Sequence, residues 1–462
     1  MTIKHIRRGI CALLCFYLLA ALAIPVGAAD SKQSKCNCGE VLQVFLKGFV
    51  KPLYYNQGTP YQITAGPLAH ILIDKQGNSL LPVTKDATID PAQDHTKNPE
   101  YEFVYDYRMD IFELAALLNE FIEELCARTG HDKIALTVRS WGSNVGMTYL
   151  SQYGTRRLET FILFDGVYNG TYLAGDLLTN NLRLSGEALI NILATLNHES
   201  APLASFADVL RATPLAKMDV PLSRSAGAPV GLAGRVILDP LILLLMRQPS
   251  LWVILPESYY KQAYQLLENH PEYAYTRAIA DRYYKEVQTQ VPRLIKECKA
   301  SGVKTAIVTA YGKAPIPMLG TTDCQCDYLA DLELASLGAT VAPIGQTLPN
   351  ADSASGKSKY RSPDGIIDAA TCLLPDNTWF VKYNSHFDCP RDLQQWIIHS
   401  KKQPAIYDNA KFPQYLVVTD EKDTTWLDGE SVYTAPLKEE PAVPFTGTFL
   451  EASRKFVQTL MP

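Results

Sequence analysis

The chain has 462 residues, enough for one large domain with insertions or for two domains. At 47% hydrophobic and 20% charged residues it lacks the bias of a disordered protein, and a formal net charge of −5 argues against a nucleic-acid partner.

At the N-terminus Lys4, Arg7 and Arg8 precede an apolar run from Ile10 to Ile24, followed by Pro25-Val26-Gly27-Ala28-Ala29. A basic stretch, a short apolar stretch and small residues make a secretory signal peptide, expected over residues 1–29 and cleaved there. The run is short for a membrane span, so the mature protein is expected to be secreted. Removing Cys11 and Cys15 with that segment leaves Cys36, Cys38, Cys126, Cys298, Cys324, Cys326, Cys372 and Cys389. In an oxidising compartment disulfides are expected, with connectivity left open. The two Cys-x-Cys pairs have no His or further Cys at zinc-like spacing beside them, so no metal site is expected.

Val41 to Leu46 reads as a strand ending in Lys47-Gly48-Phe49. Tyr54 to Pro99 is turn-rich, with one short strand near Ala69 to Ile73, and Phe103 to Arg108 reads as a strand entering a helix. Ile111, Leu114, Leu118, Phe121, Ile122 and Leu125 stand at helical spacing, and Gly130 supplies a stop. The strand Ile134 to Val138 then runs into Arg139-Ser140-Trp141-Gly142 and a helix reaching Leu150. A strand turning sharply into a helix at a Ser lifts the hydroxyl above the sheet and aims helix N-terminal N–H groups at whatever it attacks. Thr160 to Phe164 is the next strand. Strands alternating with helices on both sides of Ser140 predict a parallel, doubly wound α/β sheet.

From 167 to 300 the pattern is helical, broken by Pro and Gly, with no strand run. Its most apolar part, Val236 to Leu255, is interrupted by Asp239, Pro240, Arg247 and Pro249, which excludes a membrane span. This segment is expected to form a cap inserted into a core made of 36–166 and 301–462, with Leu251 and Trp252 in an apolar wall over Ser140. Strands resume at Val303 to Thr309 and Thr378 to Tyr383. A helix over Arg391 to Ser400, a hairpin near Tyr415 to Val418 and Ser431 to Thr434, and an amphipathic helix from Leu450 to Leu460 complete the chain.

A Ser hydroxyl needs a His base, itself held by a carboxylate, and in hydrolases with such a turn the chain order is Ser, acid, His. Order removes His70, His95 and His131, and His386 is the His that follows a late strand. Asp364, before Gly365, is the expected acid, with Asp368 as its rival. The backbone N–H groups of Phe49 and Trp141 are the expected oxyanion donors.

Ser140 with its flanks, Asp364-Gly365 and His386 look like the triad of α/β-hydrolase lipases, and the spacing from Asp-Gly to His is that of secreted bacterial triacylglycerol lipases. Two other stretches resemble the lecithin:cholesterol acyltransferase branch. Tyr105-Asp106-Tyr107-Arg108 is similar to its Tyr-Asp-Trp-Arg motif, and Pro249-Ser250-Leu251-Trp252-Val253-Ile254-Leu255-Pro256 to a Pro-Ser-Trp-Leu-Leu-Pro segment of its cap. Val138-Arg139-Ser140-Trp141-Gly142 departs from the usual Gly-His-Ser-x-Gly, placing bulky neighbours where they could alter substrate choice. His386-Phe387-Asp388 is similar to the His-x-Asp of calcium-binding lipases, but no second carboxylate matches. The resemblance implies an α/β-hydrolase fold and a secreted serine hydrolase of carboxylic esters, chiefly of lipids. No cofactor and no protein partner is implied, and contact with lipid surfaces would be transient. The alternatives are an acyltransferase with the same triad and an inactive hydrolase-fold binding protein.

Overall fold

The computed structural model describes residues 35–48, 55–56, 59–60, 74, 89–195, 201–222, 245–267, 270–349, 359–386, 388–420 and 433–436. The expected signal peptide, the strand near Ala69 to Ile73, Phe49, residues 236–244 and the helix from Leu450 to Leu460 lie outside them.

The central sheet has eight strands. In chain order they are β1 (Gln43–Leu46), β2 (Glu100–Glu102), β3 (Ile134–Arg139), β4 (Leu158–Phe164), β5 (Lys304–Tyr311), β6 (Thr378–Lys382), β7 (Tyr415–Asp420) and β8 (Tyr433–Pro436). Across the sheet they run β8-β7-β6-β5-β4-β3-β1-β2. Every pairing is parallel except β7 with β8, so the molecule is α/β with a mostly parallel sheet. Strand β2 ends at Glu102, and Phe103 to Arg108 is irregular rather than the expected strand.

All six residues of β3 are buried, as befits a parallel strand covered on both faces. Side chains alternate between two cores. Leu136 and Val138 join one core with helices α1 (Ile111–Thr129) and α2 (Gly142–Tyr153), while Ala135 joins the other with Ile162, Val308, Leu393 and Ile397. Helix α1 buries the whole predicted apolar stripe. Asp110 caps its N-terminus by accepting from Phe112 N–H, and Gly130, at φ 73°, closes it in the left-handed conformation.

Between β4 and β5 lie α3 (Tyr172–Leu178), α4 (Gly186–Thr195), α5 (Ala201–Arg211), α6 (Pro249–Trp252), α7 (Glu257–Gln265), α8 (Ala274–Glu286) and α9 (Val291–Ala300). A strand-free segment was expected here, yet Arg183–Ser185 and Asp219–Pro221 pair as a small antiparallel ribbon. Three residues on each side are too few to show a strand period. Among the described residues no helix is long and apolar enough to cross a membrane.

The eight described cysteines are thiols, not the expected disulfides. Cys126, Cys298, Cys372 and Cys389 are separately embedded, Cys126 and Cys298 in the α1 core, Cys372 and Cys389 in two other clusters. Burial pushes the Cys126 and Cys298 thiols up to about 11 and those of Cys372 and Cys389 up to about 12, which makes them unreactive.

Candidate active site

Ser140 stands between β3 and α2 with φ 51°, a left-handed conformation that costs a non-Gly residue about 1–3 kcal/mol. The surroundings hold it there. Ser140 N–H donates to the Phe164 carbonyl (3.0 Å), and the Ser140 carbonyl accepts from Ser143 N–H (3.0 Å) and Ser143 Oγ (2.5 Å). Close approach explains the small residues around it. A Cβ on Gly142 would meet the Lys47 carbonyl at 2.8 Å, and one on Gly48 would meet Ser140 Oγ at 2.9 Å.

His386 lies in the loop after β6, 3% exposed. Its Nε2 is 2.6 Å from Ser140 Oγ, and its Nδ1 is 2.7 Å from Asp327 Oδ2. With the proton on Nδ1 donated to Asp327, Nε2 accepts from the Ser140 hydroxyl, the arrangement a general base needs. Asp327 is fully buried in the loop after β5, and its other oxygen accepts from Leu329 N–H (3.0 Å) and Ala330 N–H (2.7 Å). Two backbone donors therefore fix the carboxylate while it orients the imidazole.

Ser140 and His386 thus meet as the sequence predicts, but the acid beside them is Asp327, not Asp364. Asp364 is occupied elsewhere. It accepts from Tyr311 Oη (3.0 Å), Ser362 Oγ (2.6 Å) and Ile366 N–H (3.2 Å), and pairs with Lys382 Nζ at 3.3 Å. Asp368, the rival, accepts from Ala370 N–H at the start of a short helical turn. The Asp-Gly signal marked a turn, whereas the turn at Asp327 takes its positive φ (85°) from Tyr328, a residue no turn rule singles out. Chain order and position after β5 fit Asp327 and Asp364 alike, so neither separates the two.

A second carboxyl adjoins the site. Asp165 is fully buried at the end of β4, its Oδ1 accepting from Ala310 N–H at 2.6 Å. Burial, then repulsion from Asp327, raises it well above the usual carboxylate range. A carboxyl so raised binds a proton more readily folded than unfolded. Stability from this group is present below the ordinary carboxylate range and is lost as pH rises through the folded value. Asp165→Asn keeps the acceptor for Ala310 and cannot ionise. It is expected to flatten the fall of melting temperature as pH rises above the ordinary carboxylate range. Parallel melting curves for the two proteins above that range would contradict this.

Arg139 is buried against the His386 loop. Its Nε and Nη2 donate to the His386 carbonyl at 3.0 and 2.6 Å, so it holds the His loop. Arg139→Leu is expected to lower kcat by about 10²-fold, through a displaced imidazole, with KM little changed. An unaltered kcat in a folded variant would show that the loop holds itself.

Trp141 is fully buried, stacked on Tyr105 (centroids 5.6 Å), with Nε1 donating to the Ser250 carbonyl at 2.8 Å. Its backbone stands at the first turn of α2, and the hypothetical Gly48 Cβ lies 3.8 Å from Trp141 N. The end of β1 therefore abuts the Ser turn, where an oxyanion would sit between them; Phe49, the other expected donor, is outside the described residues. Gly48→Ala is expected to lower turnover at least about 10²-fold, the scale of losing one oxyanion donor. Arg108 and Asp106 form a buried bidentate pair, with Nη2 to Oδ2 2.8 Å and Nε to Oδ1 2.9 Å.

Leu251 and Trp252 were expected to face a substrate. Trp252 is instead 1% exposed, with Nε1 donating to the Met246 carbonyl at 2.9 Å and its ring against Tyr260 and Tyr264. Leu251 is partly buried and bridges this cluster to the main core. Trp252 is a packing residue, enclosed by aromatic side chains of α7. Trp252→Ser is therefore expected to cost about 3–5 kcal/mol of stability and to depress short and long esters alike; selective loss of long-chain turnover would restore the substrate-facing assignment.

The chain matches no family model and no curated protein.

Proposed function

We propose that the protein is a serine hydrolase of carboxylic esters with an α/β-hydrolase fold. The hydrogen-bonded series Ser140–His386–Asp327, built on a positive-φ turn between strand and helix, carries this reading. Ser140 Oγ attacks the ester carbonyl while His386 Nε2 takes its proton. The same imidazole returns the proton to the leaving alcohol and then activates water to release the acid. Asp327 keeps the imidazole in the productive tautomer and stabilises the cation formed in the transition state. The Trp141 N–H is the oxyanion donor within the described residues.

Lipid esters are the proposed substrates and residues 167–300 the proposed cap, both from the resemblance of Tyr105 to Arg108 and Pro249 to Pro256 to the acyltransferase branch. Export directed by residues 1–29 belongs to the same proposal. The test treats the full chain with a fluorophosphonate probe and, separately, with p-nitrophenyl esters of graded chain length. Labelling should map to the Ser140 peptide, and ester turnover should disappear with labelling. No adduct, or an adduct on another residue, would overturn the assignment. Acyl transfer to an added alcohol in preference to water would favour the acyltransferase.

A further inference from the structure

Three segments far apart in the chain bring Cys36, Cys38, His95 and His131 together. Cys36 Sγ lies 3.5 Å from His95 Nε2, and Cys38 Sγ lies 3.5 Å from His131 Nε2. The two imidazole rings stand edge-on, with centroids 5.4 Å apart. The ligand atoms of Cys36, Cys38 and His131 all fall within 4.8 Å of one another. All four residues are half-buried, and His131 Nδ1 is buried without a hydrogen-bond partner. The neighbouring backbone is pinned, since Cys36 N–H donates to the Gly130 carbonyl (3.0 Å) and Lys35 pairs with Asp132 (2.9 Å).

We propose that these residues form a structural zinc site of the Cys₂His₂ type. A tetrahedral zinc ion, with Zn–S about 2.3 Å and Zn–N about 2.0–2.1 Å, places adjacent sulfur and nitrogen ligands about 3.5 Å apart. Both sulfur–nitrogen contacts already have that length; Cys36, Cys38 and His131 form the compact part of the cluster, and His95 joins it through its contact with Cys36. Binding releases one proton from each thiol, and two thiolates with two neutral imidazoles leave the dication neutral overall. Soft sulfur with imidazole favours zinc over calcium or magnesium, whose ligands are oxygens. The ion would join residues 36–38, the irregular stretch before β2 and the turn after α1. It is remote from the chemistry. Six strand residues of β3 separate this end of the sheet from Ser140, about 20 Å at 3.3 Å per residue. The proposal is therefore independent of the hydrolase reading.

The test is the metal content of the full chain, dialysed against a weak chelator and measured by elemental mass spectrometry alongside its intact mass. One zinc per chain is expected, and cobalt substitution should give the visible and charge-transfer bands of a tetrahedral thiolate site. Cys38→Ser and His131→Gln should each abolish stoichiometric zinc, and His270→Gln, at a half-buried His outside the cluster, should retain it. Should the variants fail to fold, a strong chelator applied to the wild-type protein should lower its melting temperature, and added zinc should restore it. The proposal is overturned if the wild-type protein holds no zinc. A mass two hydrogens lower, with a Cys36–Cys38 disulfide mapped, would overturn it equally.

Discussion

Asp327→Asn is expected to lower ester turnover by about 10⁴-fold, the scale set by other triads when the acid becomes an amide. An asparagine can present its carbonyl to Leu329 and Ala330 N–H, as Oδ1 does now, so the loop should keep its shape. Its amide nitrogen then faces His386 Nδ1 and donates to it. That moves the imidazole proton to Nε2, which can no longer accept from Ser140. Asp364→Asn should behave in the opposite way. It weakens the buried pairing with Lys382, and breaking such a pair costs about 3–5 kcal/mol of stability. The fraction that remains folded should turn over substrate at nearly the wild-type rate. Measuring kcat and melting temperature for both variants separates the roles, and a folded Asp327→Asn protein with wild-type kcat would remove Asp327 from the mechanism.

The largest loss should come from Ser140→Ala. Turnover should fall by about 10⁶-fold, and covalent labelling should vanish. Folding should survive, because the alanine adds nothing to the turn and leaves the Ser140 backbone hydrogen bonds in place. The backbone conformation gives a further handle. At φ 51° an alanine remains strained, whereas glycine is not, so Ser140→Gly should be equally inactive but melt higher than Ser140→Ala. If Ser140→Ala kept its activity, the nucleophile would lie elsewhere.

Much of this arrangement could be read from the residues, and the failures have identifiable causes. The stripe from Ile111 to Leu125, the largely apolar β3 and the Ser turn are local patterns, and each element appears where the sequence pattern placed it. His386 was reachable because chain order and strand position together eliminate its rivals. Asp327 was not singled out, because the loop between β5 and β6 contains several acids and nothing local distinguishes an acid facing His386 from one facing Lys382. The Asp364-Gly365 turn is real, but its carboxylate faces into the sheet end. The four-residue Cys/His cluster escaped for a related reason. Zinc-like spacing is a local pattern, whereas His95 and His131 reach the first Cys-x-Cys pair only through the fold. Trp252 was misplaced because an apolar run shows that a segment is enclosed, not what encloses it.

The bonds from the Ser turn to the helical insertion constrain how this protein can breathe. Trp141 Nε1 donates to the Ser250 carbonyl and Asn144 Nδ2 to the Val253 carbonyl at 2.7 Å, while Tyr283 Oη lies 3.0 Å from the same Asn144 nitrogen. These donors are buried, so lifting residues 250–253 would strand them without water. This stretch therefore acts as a fixed abutment, and any opening of the insertion must pivot elsewhere. In hydrogen exchange, the amides of α2 and those of residues 251–255 should open together, as one cooperative unit, only when the domain itself unfolds.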